Sequence, residues 1–224
     1  MDHYTARAAS LHHVSYCVQI IEREIQSLPY TYHIMKKILP LLALVLLGCN
    51  EVIEIDPETG FEIFTINAGD HSAIMRTETF EGNGIQITAL FDETAQYTLQ
   101  QASNQADINK LVGFSDCTQH HQSESARFGW RWYEDELQIL AYSYNEGNLN
   151  YKLMGAVAIN QEINLTINIE SEQYLFMGDG LETVTLPRTI NCESGENYWL
   201  WPYFGGDEPA PHTIEVRLKR TVLE

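Results

Sequence analysis

The stretch ARFGWRWYEDELQILAYS, residues 126–143, reads as two strands folded about Glu134-Asp135. An even-length loop pairs Trp132 with Leu137, Trp130 with Ile139 and Phe128 with Ala141 on one face. The other face pairs Arg131 with Gln138 and Arg127 with Tyr142, with Tyr133 and Tyr144 nearby. Phe128, Trp130 and Trp132 mark the first face as core. Two Arg and three Tyr share the second, an unusual set for plain solvent exposure in an acidic chain.

Outward from this hairpin the pattern keeps a period of two. Ile163, Leu165, Ile167 and Ile169 alternate with Asn164, Thr166 and Asn168. Near the C-terminus Ile214, Val216 and Leu218 alternate with Thr213, Glu215, Arg217 and Lys219. Further strands are expected at 61–66, 84–91, 95–100, 126–133, 137–145, 150–159, 173–177, 181–186 and 197–201. Turn chemistry separates them, as in Glu81-Gly82-Asn83-Gly84, Asn145-Glu146-Gly147-Asn148 and Gly178-Asp179-Gly180. About eleven short strands with one polar face each require two packed sheets. The expected fold is all-β, an antiparallel two-sheet β-sandwich, jelly-roll-like. Only 103–111 (SNQADINKL) suits a short helix, capped at Ser103 or Asn104.

The composition fits one globular domain, with 44% hydrophobic and 20% charged residues. A net charge of −18 argues against nucleic-acid binding, which needs a basic surface, and against docking on anionic lipid. No stretch reaches the roughly 18 apolar residues of a spanning helix.

From Met35 the chain reads MKKILPLLALVLLGCN. Lys36 and Lys37 form a basic start, and Ile38 to Leu47 an apolar run too short to span a bilayer but suited to a secretory signal. Its end, Leu46-Leu47-Gly48-Cys49, resembles the lipobox of bacterial lipoproteins. That resemblance implies a signal peptide at 35–48, acylation of Cys49, and a place in the bacterial cell envelope, periplasmic or surface-facing. Residues 1–34 then read as an upstream extension, 49–59 as a tether and 60–224 as the sandwich domain. Of the four cysteines, Cys17 falls in the leader and Cys49 takes lipid. Cys117 and Cys192 remain, a candidate disulfide in an oxidising compartment.

The tether holds a decoy, Glu54-Ile55-Asp56-Pro57-Glu58, which looks like the E-x-D-x-E strand of a glycoside hydrolase family. Pro57 would remove a ladder donor in mid-strand, so the catalytic reading is set aside.

Candidate ligand contacts are Arg127, Arg131, Tyr142 and Tyr144 on the hairpin and Trp199, Trp201 and Tyr203 in the aromatic run YWLWPYF, residues 198–204. Tyr and Trp offer a ring with a polar handle, and Arg a planar fork for carboxylates or sugar hydroxyls. His120 and His121 just precede the hairpin. Asp179, Asp207 and Glu208 could hold Ca²⁺, although no EF-hand spacing is present, and no other cofactor or metal is expected.

The segments RFGWRW (127–132), AYSYN (141–145) and PYFGGDEPAPH (202–212) resemble exported bacterial lipoproteins with β-sandwich domains. The layout is similar to concanavalin-like and jelly-roll modules that bind or cleave polysaccharides. The resemblance implies a lipid-anchored, non-catalytic module for a glycan or an envelope partner. Its alternative is a polysaccharide lyase or glycoside hydrolase on the same scaffold, with His121, Arg127 and Tyr142 as the lyase set. A groove that also holds a His or paired carboxylates favours the enzyme; a flat platform without them favours binding.

Overall fold

The computed structural model describes residues 53–190, 192 and 195–224. Cys49 and the signal segment lie outside the described residues. All strand pairings are antiparallel, in two sheets. One sheet has seven strands in the spatial order β1 (Glu54–Ile55), β2 (Glu62–Ile66), β13 (Ile214–Leu223), β4 (Gly84–Phe91), β9 (Ile163–Ile169), β10 (Gln173–Gly178) and β11 (Val184–Pro187). The other has six, β3 (Thr79–Glu81), β12 (Glu196–Leu200), β5 (Asn109–Ser115), β6 (Ser125–Tyr133), β7 (Glu136–Asn145) and β8 (Asn148–Val157).

The alternating residues build the core between the sheets. Leu165 and Ile167 of β9, and Ile214, Val216 and Leu218 of β13, are fully buried. Rings join the two layers: Phe128 of β6 meets Phe176 of β10 edge-on at 5.5 Å, and Phe114 of β5 meets Tyr174 at 6.1 Å. Trp130 is fully buried among Phe91, Tyr97 and Phe204. The β6–β7 pairing has the expected register, with Trp132 opposite Leu137, Trp130 opposite Ile139 and Arg127 opposite Tyr142.

Several elements differ from the sequence reading. Residues 103–111 are not a helix: Ala102–Asn104 form one 3-10 turn, and Asn109 onward is β5, an interior strand between β12 and β6. A bulge between Lys110 and Val112 turns both Leu111 and Val112 into the core, which erases the period of two. Residues 95–100 form no strand. Asp92 caps a 3-10 turn at Glu93–Ala95, and the alternation there reflects Tyr97 and Leu99 entering the core without a ladder partner. The stretch read as tether already joins the sheet, since Glu54 and Ile55 pair with Ile63 and Glu62. Asp56 of the decoy motif closes the following turn, accepting from Glu58 N and Thr59 Oγ1.

Cys117 and Cys192 are disulfide-bonded, with Cα atoms 5.8 Å apart, tying the turn after β5 to the segment before β12. Asp116 beside the bridge is buried, and it accepts from Arg188 Nε at 2.6 Å and from the Tyr174 hydroxyl at 2.7 Å. Burial and the Asp116 carboxylate together push the Tyr174 phenol well above its ordinary pKa.

Trp130→Ala would leave a cavity that β6 and β7 cannot close without losing register. It should cost about 3–5 kcal/mol, read as a lower midpoint in chemical denaturation; a loss under about 1 kcal/mol would contradict the packing described.

Candidate functional site

The site lies on the outer face of the six-stranded sheet, and strand register assembles it. Arg127 of β6 sits opposite Gly113 of β5 on one side and Tyr142 of β7 on the other. One row further along, Ser125 pairs with Ser115 and with Tyr144. Gly113 makes the arrangement possible. A Cβ there would lie 2.1 Å from the Ala126 carbonyl oxygen and 2.7 Å from Arg127 Cγ. The missing side chain lets Arg127 lie flat across the strand.

Arg127 is only 7% exposed, and its guanidinium carbon sits 5.2 Å from the centre of the Tyr142 ring. Its Nε is buried with no hydrogen-bond partner, and among the described residues no carboxylate pairs with it. An unpaired buried guanidinium is costly. Lys110 approaches from β5, with Nζ 5.5 Å from the Tyr142 ring and 5.7 Å from the Tyr203 ring, and donates to the Gly205 carbonyl at 2.9 Å. Burial and the neighbouring Arg127 charge pull Lys110 down to about 8, against a smaller opposing pull from Asp107. Burial, Arg127 and His120 likewise lower the His121 pKa, which favours the neutral imidazole. Tyr142 goes the other way, its phenol pushed up by burial against the pull of Arg127.

Around this floor runs an open groove of about 810 Å³. One wall is the segment 72–77, with Tyr203 bridged to its Ser72, and Tyr198 also lines the groove. The Tyr198 hydroxyl donates to the Gln119 carbonyl at 2.9 Å, and Tyr203 stacks on His71 with ring centres 5.4 Å apart. Arg76, Lys110, His121 and Arg127 all line the groove, and no lining residue among the described ones is Asp or Glu, although Arg76 pairs with Glu78 just outside the lining at 2.8 Å.

Of the residues expected from sequence, Arg127, Tyr142, Tyr144, Tyr203 and His121 come together here. Trp199 and Trp201 border the groove but are 4% and 8% exposed and belong to the core. Their rings hold the Arg220 guanidinium, at 4.5 and 4.6 Å, which leaves no open face for a platform. Arg131 is turned away: it donates to Gln138 Oε1 and the Ala106 carbonyl and lies over the Tyr133 ring. The acids suggested for Ca²⁺ do not converge. Glu208 accepts from Gln100 N, Gln101 N and Asn104 Nδ2, whereas Asp179 pairs with Asn164.

Sequence reasoning missed Lys110, Gln122, Gly113 and the wall at 72–77. Lys110 and Gly113 sit in the strand disguised by its bulge. The wall has no periodicity to betray it.

No family model and no curated protein matches this chain. The chain is similar to the solved structure of the alginate lyase AlyC3, with a TM-score of 0.49 and 12% identity over 78% of this chain and 80% of that one. It is similar also to SCLam, a non-specific endo-β-1,3(4)-glucanase of glycoside hydrolase family 16, with a TM-score of 0.48 and 8% identity over 72% of this chain and 70% of that one. A family 16 endo-glucanase from Bacteroides ovatus gives a TM-score of 0.48 and 9% identity over 75% of this chain and 84% of that one.

Proposed function

We propose that the groove binds an acidic polysaccharide through its uronate carboxylates and cleaves it by β-elimination. One observation carries the reading: a chain of net charge −18 sets Lys110, His121 and Arg127 along one groove, and no lining residue among the described ones is a carboxylate. Arg127, buried without an anionic partner, fits a ligand carboxylate in a way that neutral hydroxyls would not match. A hydrolase working with paired carboxylates has no candidates among the described residues of this lining.

Elimination needs the uronate charge neutralised, a base for the C5 proton and an acid for the departing oxygen. Arg127 and Lys110 would hold the carboxylate and make the C5 proton more acidic. His121, favoured as the neutral imidazole, would take that proton. As the C4–O4 bond breaks and the C4–C5 double bond forms, Tyr142, kept protonated by its raised pKa, would donate to O4. Two titratable groups with pKa values pushed apart in one groove suit such a division of roles.

On the lipobox-like Leu46-Leu47-Gly48-Cys49 we propose that the domain sits in the cell envelope, tethered by lipid on Cys49. Cys49→Ser should then leave a chain that no longer partitions into detergent; unchanged partitioning would remove the anchor.

The direct test is incubation with a polyuronate, following the ultraviolet absorbance of the unsaturated uronate product. Tyr142→Phe keeps the ring and should lower kcat by about 10²-fold or more while leaving binding largely intact. Arg127→Ala should lower both binding and turnover. Tight binding of polyuronates with no unsaturated product would leave a binding module. Turnover of neutral glucans alone would overturn the reading.

A further inference from the structure

Few large apolar side chains are exposed on the described surface, and three of them stand on one strand. Leu149, Tyr151 and Leu153 of β8 are 45%, 57% and 42% exposed. They alternate along the strand, so they share a face, and register shows which. Tyr151 lies opposite Tyr142, Leu149 opposite Tyr144 and Leu153 opposite Leu140. A single row therefore crosses the sheet through Leu200, Gly113, Arg127, Tyr142 and Tyr151. The stripe continues the face that carries the groove.

The strand is also the edge of its sheet, pairing only with β7. Edges of this kind normally carry charge or cover, because an exposed apolar edge invites unwanted pairing. The one Lys between these residues, Lys152, is engaged elsewhere, its Nζ 2.6 Å from Glu182 Oε1.

Resting on the acidic-polysaccharide reading above, we infer that Leu149, Tyr151 and Leu153 form an outlying contact for the same polymer, which crosses the strands and leaves the groove over β8. Two strand spacings, roughly 9.5 Å, separate Arg127 from Tyr151. A sugar held by its carboxylate at Arg127 does not itself reach the stripe, whereas units further along the chain do. The chemistry changes over that distance. Arg127 and Lys110 read charge, and the stripe offers a ring and two aliphatic side chains to the apolar C–H face of a sugar. Length of chain, rather than charge, is what this contact senses, and it disposes the groove to internal stretches of a polymer.

The test is calorimetric binding of uronate dimers, tetramers and hexamers to the whole chain carrying Tyr142→Phe, so that bound oligomers are not cleaved, alone and combined with Tyr151→Ala, Leu149→Ser/Leu153→Ser or Arg127→Ala. Tyr151→Ala should weaken hexamer binding about tenfold and change dimer binding less than twofold. The double variant should follow the same pattern, and Arg127→Ala should weaken every length. Equal effects of Tyr151→Ala at all lengths, or none at any, would overturn the outlying contact while sparing the groove. Light scattering adds an independent check: a wild-type dimer that Tyr151→Ala dissociates would assign the stripe to a second copy and overturn the inference. If no uronate oligomer binds, or Arg127→Ala changes nothing, the groove reading fails and takes this inference with it.

Discussion

Slipping β6 by one residue along β7 would exchange the two faces of β6. Trp130, now fully buried against Phe91 and Phe204, would turn to solvent, and Arg127 would turn into the core. That register is held by the packing of Phe128, Trp130 and Ile139 on the inner side. The outer side inherits its geometry. Arg127 falls beside Tyr142 and over Gly113 because the aromatic core leaves the hairpin no alternative. Core packing and ligand chemistry are thus two faces of one constraint.

The electrostatics follow a second division. Five cations pair with carboxylates: Arg76 with Glu78, Arg188 with Asp116, Arg217 with Glu215, Arg220 with Glu62, Lys152 with Glu182. Lys110 and Arg127 instead share the Tyr142 ring with no carboxylate on either, and burial first, then the Arg127 charge, lowers the Lys110 pKa. Two like charges held under tyrosine rings form a site whose strain an anion would relieve. The acidic remainder of the surface would repel a polyanion from other places and steer it toward this one.

Much of this was legible in the residues and some of it was not. The hairpin register came from a two-residue turn and an aromatic stripe, both local signals, and with it came Arg127, Tyr142 and Tyr144. The strands at 84–91 and 163–169 were equally plain, because each has one wet and one dry face. β5 was hidden by its bulge, where Leu111 and Val112 both point inward, and with it went Lys110 and Gly113. The tryptophans at 199 and 201 misled for a related reason. Alternation shows that they share a face, but only the second sheet and Arg220 decide that this face is the core. The wall at 72–77 is placed by tertiary contacts alone, such as the bridge from Ser72 to Tyr203.

The central claim is that the groove reads the carboxylates of its ligand. The most direct measurement is titration of the Tyr142→Phe protein, which binds without cleaving, with a matched pair: a polyuronate, and the same polymer with its carboxyl groups reduced to alcohols. The account predicts binding of the polyuronate that weakens as salt is added, and loss of most of that affinity in the reduced polymer. Equal affinity for the two, unaffected by salt, would contradict it.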